Sequence, residues 1–223
     1  MRLEKASRKA VNYACKKFHY SQNAAPRAHD LAFSVFENDI FCGVVCFGRG
    51  ATNDIGKPYG LNSGECVELI RVALNGNQKS TSKALSIAMR LVLKYAPLTK
   101  MLVSFADPDQ NHVGTIYQAT NWYYVGKTIP SKEYYLDGVK IHGRTFRSKG
   151  KPQRAIETMG SSKLRYIYPL DKSLVPLCQS LAKPYPKKCV RSVMVAHSTS
   201  SRKEEFDSTL TLNKQRSNSD AKP

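Results

Sequence analysis

The sequence lacks the features of several common protein classes. No apolar run approaches the roughly 20 residues that a membrane-spanning helix needs. The basic amino-terminal stretch MRLEKASRKAVNYACKKF has no apolar core of a secretory signal. The six cysteines form no CxxC pair with a matching second pair, which disfavours a zinc ribbon or a disulfide framework. We therefore expect a protein of a reducing cytoplasm with no membrane contact.

Familiar catalytic motifs are missing as well. The chain has no Walker loop, no Gly-x-Ser-x-Gly and no His-x-Glu followed by Pro-Cys-x-x-Cys, the pattern of zinc deaminases. The stretch ADPDQ, residues 106–110, shares its Asp-Pro with the Asp-Pro-Pro-Tyr signature of amino-methyltransferases. No aromatic residue follows there to stack on a base. These absences disfavour the enzyme classes that depend on such motifs.

Acidic residues are scarce. There are 17 of them against 35 lysines and arginines, which gives a formal net charge of +18. An excess of this sign favours polyanionic partners, nucleic acid first and anionic membranes second. The densest basic stretch is 140–167, which a solvated loop would also explain. Its candidate phosphate-binding side chains are Arg144, Arg147, Lys149, Lys151 and Arg154.

The chain reads as one globular domain followed by a polar tail. Hydrophobic residues make up 41% of it, which suits a packed core. From 197 onward it is rich in serine, threonine and charge and poor in apolar residues. We assign 1–195 to the catalytic domain and 196–223 to a disordered polar tail.

Helical and extended patterns alternate within the domain. Apolar spacing predicts helices over 5–18 and 80–97, together with a short helix over 111–121. The remaining predicted elements are strands over 66–74, 100–106 and 163–170, and hairpins over 31–48 and 133–146. This alternation predicts an α/β protein with a mixed central sheet flanked by helices.

Two polar side chains mark a candidate site. Asp107 follows the predicted strand 100–106, and Tyr117 lies on the next helix, at the edge where α/β sheets bind ligands. A carboxylate there can accept a proton, and a phenol can give one to a leaving group. The alternative is structural: Asp107 caps the helix after Pro108, and Tyr117 belongs to the core.

Two further segments carry candidate side chains. His19 and Tyr20 follow the first helix, where they belong to a site only if the fold brings them to the cleft. The loop NGNQKSTSK, 75–83, joins a strand to a helix, and it could hold an anion at the helix start. Its candidate cofactor-binding residues are Ser80, Ser82 and Lys83, although a plain helix cap explains the serines equally well.

Several blocks in order resemble a known family. ECVELIRVAL, VSFADPDQNHVGTIYQATNWYYVGK, DGVKIHGRT and KLRYIYPL together resemble the Mom family of phage DNA-modification proteins, which have a GNAT-like (acyl-CoA N-acyltransferase-like) fold. The resemblance runs from about His19 to about Lys188. The resemblance implies that this chain is a bacteriophage enzyme that converts adenine in DNA to N6-carbamoylmethyladenine. This modification would protect the DNA from host restriction enzymes.

The resemblance also implies roles for particular residues. Catalytic roles pass to Asp107, Tyr117, His19 and Tyr20, with double-stranded DNA as partner and the cytoplasm of an infected bacterium as location. Asp107 would accept a proton from an adenine turned out of the double helix, and Tyr117 would donate a proton to the departing donor. Trp122, Tyr123 or Tyr20 would stack on the adenine ring. His19, Tyr20 and Asp107 also offer nitrogen and oxygen ligands that suit iron, although their spacing does not demand a metal.

The donor of the carbamoylmethyl group stays open at this point. GNAT acetyltransferases cradle coenzyme A on a Gly-x-Gly/Ala turn that NGNQKSTSK lacks, which argues against ordinary use of acetyl-CoA. Three alternatives to DNA modification also stay open. One is a GNAT N-acetyltransferase that acts on a protein or small amine, and another is a non-enzymatic basic DNA-binding protein. The third is modification of RNA, which suits the charge equally well.

Overall fold

The computed structural model describes residues 1–24, 29–50, 54–141, 143–148, 150 and 152–187. Of residues 29, 30 and 143–145 it describes the backbone alone. The predicted domain boundary at 195 and the predicted tail, 196–223, lie outside these residues. In the described part, no helix is both long and apolar enough to cross a membrane.

Helices and strands alternate along the described chain. The helices are α1 (Arg8–Phe18), α2 (Thr81–Tyr95), α3 (Thr115–Gln118), α4 (Gly143–Ser148) and α5 (Val175–Leu181). The strands are β1 (Arg2–Lys5), β2 (His29–Glu37), β3 (Ile40–Gly48), β4 (Cys66–Leu74), β5 (Met101–Ala106), β6 (Tyr123–Lys127), β7 (Lys132–Leu136), β8 (Val139–Ile141), β9 (Ala155–Met159) and β10 (Leu164–Pro169).

The strands form two sheets. Seven of them make a central sheet in the order β1-β2-β3-β4-β5-β10-β6, and the other three make a small sheet in the order β8-β7-β9. The central sheet is mixed, because β4 and β5 run parallel while its other neighbours are antiparallel. The predicted α/β class with a mixed central sheet flanked by helices is confirmed.

The two parallel strands separate along their length. Among the described residues, β4 pairs with β5 only between Cys66–Glu68 and Met101–Val103. The carboxyl-terminal part of β4 continues its pairing with β3, and β5 stays paired with β10 up to Ala106. A gap therefore opens between the ends of β4 and β5, and it is here that the fold can admit a ligand.

Helices α1 and α2 pack on opposite faces of the sheet. On β3, Val44 and Cys46 join the apolar cluster of α1, whereas Val45 and Phe47 join that of α2. Successive side chains of a strand point to opposite faces, so this near-continuous apolar strand is buried on both sides. The free cysteines in the described chain are all buried: Cys15, Cys42, Cys46, Cys66 and Cys178.

Some predicted boundaries were wrong. The first helix begins at Arg8, because the Ser7 hydroxyl accepts a hydrogen bond from the Ala10 amide and caps it. Residues 2–5, partly assigned to that helix, form edge strand β1 instead. The helix predicted over 111–121 is only the four residues of α3, because Gly114 and Asn121 both have positive φ angles and interrupt the helix.

Candidate active site

A cavity of about 450 Å³ lies where β4 and β5 separate. Strand ends contribute Ile70, Arg71 and Val72 from β4 and Phe105 and Ala106 from β5. The segment after α1, the start of α2 and the loop with α3 complete the wall. The members of these segments are Phe18, His19, Tyr20, Thr81, Asp107, Asn111, His112, Val113, Gly114, Thr115, Ile116 and Tyr117.

Asp107 lies at the tip of β5 and lines the cavity. One carboxylate oxygen accepts a hydrogen bond of 3.2 Å from the Asp109 amide and so caps the 3-10 turn Pro108–Gln110. The other oxygen accepts a 2.6 Å bond from the Lys163 ammonium. The side chain is 17% exposed. Asp107 therefore does cap this turn, as the structural alternative predicted, and the same residue also lines the cavity.

Tyr117 lines the same cavity from α3. Its ring packs against Trp122 at 5.3 Å and Tyr166 at 4.9 Å between centroids. Burial raises the pKa of the phenol to about 12, and the Ser104 hydroxyl opposes that rise. The group therefore stays protonated at neutral pH, which is the state that a proton donor requires.

A buried hydroxyl lies behind Tyr117. The oxygen of Ser104 is 2.8 Å from the Leu69 carbonyl oxygen and 2.8 Å from the Tyr117 phenol oxygen. A hydroxyl has one hydrogen to donate, and a carbonyl can only accept. When Ser104 donates to Leu69, the phenol can donate to Ser104. If Tyr117 loses its proton, Ser104 can donate to the phenolate instead.

His19 is held in one tautomer at the mouth of the cavity. Its Nδ1 accepts a 3.2 Å hydrogen bond from the Ser21 amide and lies 2.9 Å from the Ser21 hydroxyl. Burial first, and then the charges of Arg71 and His112, lower its pKa to about 4. The ring is therefore neutral at pH 7, with its proton on Nε2, where it can donate a hydrogen bond.

Arg71 fixes the segment that carries His19. Arg71 lies on β4, and its guanidinium donates a hydrogen bond of 3.0 Å to the Ser21 hydroxyl and one of 2.9 Å to the Asn23 carbonyl oxygen. Tyr20 stacks on His19 with ring centroids 4.2 Å apart and meets His112 edge to face at 5.4 Å. The sequence put His19 and Tyr20 in the site only on condition that the fold brought them there, and it does.

The predicted cofactor-binding residues lie at the start of α2. The Ser80 hydroxyl accepts a 3.1 Å hydrogen bond from the Lys83 amide and caps the helix. The Ser82 hydroxyl lies 3.0 Å from that of Ser80. Of this turn only Thr81 lines the cavity. The cap that the sequence offered as an alternative is present, and a role in holding a donor stays a prediction.

Two of the five predicted phosphate-binding side chains, Arg147 and Arg154, are described, and both adjoin the small sheet. Arg147 lies in the last turn of α4, and Arg154 directly precedes β9, both exposed. Only the backbone of Arg144 is described, and Lys149 and Lys151 lie outside the described residues. The pKa of Lys140 on β8 is raised, mainly by its 2.5 Å ion pair with Glu133. Lys132 on β7 pairs in the same way with Glu157, so the two arginines carry the unbalanced charge here.

Two of the three aromatics expected to stack on a base cannot do so. Trp122 is fully buried in the core. Tyr123 packs in the separate apolar cluster under α5. Both residues follow the turn at Asn121 that leads into β6, and their side chains pack in the core instead of lining the cavity. Tyr20, 52% exposed at the cavity mouth, is the one of the three positioned to stack.

The donor atoms around His19 were compared with what a metal needs. Among the described residues, no group of three or more His, Cys, Asp or Glu side chains could hold a metal ion. A metal on Nε2 of His19 would place the proton on Nδ1, which faces the Ser21 amide donor. The amide of Ser21 opposes a metal on Nε2 of His19, and a metal held by His19, Tyr20 and Asp107 stays a prediction.

Sequence reasoning missed three residues of the site, Arg71, Ser104 and Lys163. Each of the three lies within a strand or next to its start, and its sequence neighbours are those of an ordinary strand. The pairing of the strands brings Arg71 to the cavity and places Ser104 and Lys163 against Tyr117 and Asp107, which line it. A polar residue inside a continuous apolar run, as Ser104 is within MLVSFA, is the one signal that could have identified a member.

The chain was compared with known proteins. The model of the Mom protein family matches residues 1–187. The methylcarbamoylase mom of Escherichia phage Mu is 28% identical over 134 residues, an alignment that covers 58% of this chain and 55% of that protein. The alignment thus spans about half the length of this curated relative.

Solved structures with a similar architecture were also found. One is FeeM, an N-acyl amino acid synthase from uncultured soil microbes, with 14% identity, a TM-score of 0.44, and coverage of 82% of this chain and 100% of that one. Another is an N-acetyltransferase from Staphylococcus aureus Mu50, with 13% identity, a TM-score of 0.45, and coverage of 76% and 98%. These likenesses concern architecture alone.

Proposed function

The chain belongs to the Mom protein family, and from this premise we propose that it is a phage-type DNA-modifying transferase that converts adenine to N6-carbamoylmethyladenine. The relative from phage Mu is named a methylcarbamoylase, which agrees with this reaction. The observation that carries the proposal is the convergence of Asp107 and Tyr117 on one cavity. Its biological effect would be protection of phage DNA from restriction inside the infected bacterial cell.

The substrate base must leave the duplex to reach this cavity. Adenine N6 is paired inside the helix, and turning the base out costs a few kcal/mol. A volume of about 450 Å³ is of the size of small-ligand pockets. Stacking of the base on the exposed Tyr20 ring would contribute roughly 1–3 kcal/mol. Phosphate contacts from basic side chains, Arg147 and Arg154 among them, would offset the remaining free-energy cost of turning the base out.

In this proposal Asp107 acts as the base. The adenine amine is a weak nucleophile because its lone pair is delocalised into the ring. Lys163 neutralises and orients one carboxylate oxygen, and each oxygen keeps a further lone pair for substrate. Asp107 would accept an N6–H hydrogen bond and take that proton as N6 bonds to the CH₂ of the donor.

In this proposal Tyr117 acts as the acid. As the bond between the donor CH₂ and its leaving group breaks, the phenol would give its proton to the departing atom. Ser104 would then turn its hydrogen from the Leu69 carbonyl to the phenolate. The donor must supply a carbamoylmethyl group, or its precursor, on a leaving group. Simple acyl transfer from acetyl-CoA would give an amide rather than this product.

The proposal is tested by mass spectrometry of nucleosides from the DNA of bacteria that express the protein. We expect a new adenine nucleoside heavier by one carbamoylmethyl group less one hydrogen. Tyr117→Phe should lower its yield by roughly 10²–10⁴-fold, the usual loss for a general acid. Tyr168→Phe is the matched control, because Tyr168 also packs on Trp122 but is not among the cavity-lining residues. An unmodified DNA pool with wild-type protein would contradict the proposal.

A further inference from the structure

The outer face of α1 is strongly basic. Lys9, Lys16 and Lys17 are exposed there together with Tyr13, which is 53% exposed. Spacings of four, three and one residues place them on one side of the helix. The helix RKAVNYACKKF contains no acidic residue. A solvated helix of a soluble protein usually carries both signs of charge, so this face is unusual in its uniformity.

Packing fixes which way this face points. Val11, Ala14 and Cys15 are fully buried against the sheet, and no rotation of the helix can keep them there while hiding the lysines. The lysine side chains therefore project from the protein surface. A positive face without aligned carboxylates in its own helix is free to take anionic groups from outside.

The same helix leads to the mouth of the cavity. Its last residue, Phe18, and the following His19 and Tyr20 all line the cavity. Lys16 and Lys17 thus lie in the last turn before the residues that would meet the substrate base. A second positive region adjoins the small sheet, where Arg147 on α4 and Arg154 before β9 are both exposed.

We propose that the outer face of α1 binds the phosphate backbone of duplex DNA beside the nucleotide presented to the cavity. The inference rests on the proposed function and extends it, because the basic stretch evident in the sequence, 140–167, supplies only one flank. With α1 as the second flank, the duplex would be held on both sides of the base that is turned out. Such bracketing positions the substrate without reading its sequence.

The test compares two double variants with equal loss of charge. Lys16→Gln with Lys17→Gln alters α1, and Arg90→Gln with Lys94→Gln alters the exposed carboxyl-terminal half of α2, on the opposite face of the sheet. Binding of a short adenine-containing duplex is measured over a series of salt concentrations. The logarithm of the binding constant falls linearly with the logarithm of the salt concentration, and each lost phosphate contact reduces the magnitude of that slope by about 0.9.

For the α1 variant we expect the magnitude of that slope to fall by about 2 and the affinity in 0.1 M salt to fall roughly 60-fold. The α2 variant should match the wild type. Equal behaviour of the two variants would overturn the proposal, as would an α1 variant that loses binding only to phosphatidylglycerol vesicles. If wild-type protein binds the duplex but nucleoside mass spectrometry finds no modified adenine, the proposed function fails while the α1 surface stands.

Discussion

The Ser104→Ala substitution tests whether the buried serine supports proton transfer by Tyr117. Ser104 is 1% exposed, and its oxygen lies 2.8 Å from both the Tyr117 phenol oxygen and the Leu69 carbonyl oxygen. With neutral Tyr117 the serine connects two neutral groups. Once Tyr117 has given up its proton, the serine can donate to a phenolate. The contact is therefore stronger in the reacting state than in the resting one.

The magnitude follows from that difference. A hydrogen bond to a charged group contributes about 1.5–3 kcal/mol and one between neutral groups about 1 kcal/mol, which leaves a difference of about 0.5–2 kcal/mol. Since each 1.36 kcal/mol of barrier is tenfold in rate, Ser104→Ala should slow adenine modification by roughly 2- to 30-fold. It should also destabilise the fold by about 1–3 kcal/mol, because the Leu69 carbonyl loses its buried donor.

The assay is the rate at which modified adenine accumulates in DNA after induction of the protein, measured by nucleoside mass spectrometry. Ser34→Ala is the matched control, because Ser34 is a buried serine of the same sheet, 4% exposed, on β2 away from the cavity. Normalisation to folded protein separates rate from stability. If Ser104→Ala modifies DNA as fast as Ser34→Ala, the reasoning about the phenolate is refuted.

Two further predictions concern the frame of the site. Gly114→Ala should destabilise the fold by more than Gly138→Ala, since both have φ of +77° but only at Gly114 would a Cβ meet the Tyr166 ring, at 2.4 Å; equal urea midpoints would contradict this. His19, with a folded pKa of about 4 against an ordinary 6.5, stays neutral in the fold while the unfolded chain takes up a proton, so stability should fall as pH drops from about 6.5 to 4. His19→Gln should flatten that dependence, and His112→Gln should keep most of it because burial is the largest cause of the lowered pKa, as followed by urea unfolding at each pH.

The sequence was sufficient to predict the frame of this protein. The continuous apolar runs of β4 and β5 and the periodicity of α2 follow from burial alone, which is a local property of the chain. The placement of Asp107 at a strand tip followed in turn from the strand. Boundaries were less predictable, since the start of α1 depends on one serine cap and the shortness of α3 on two positive φ angles.

The supporting residues of the site could not be predicted in the same way. Arg71 reaches Ser21 across 50 positions of sequence, and Lys163 reaches Asp107 across 56. Such contacts depend on which strands become neighbours, and β10 lies between β5 and β6 in a way that no local pattern indicates. The burial of Trp122 depends on the same pairing, because Trp122 packs against Tyr168 of β10.

The most direct test of the account is a comparison of Asp107→Asn with Asp109→Asn. Both remove one negative charge from the same turn, but only Asp107 lines the cavity and pairs with Lys163. Purified proteins should bind duplex DNA with equal affinity. Nucleoside mass spectrometry should find modified adenine with Asp109→Asn and none with Asp107→Asn. Full modification by folded Asp107→Asn would contradict the assignment of this carboxylate as the base.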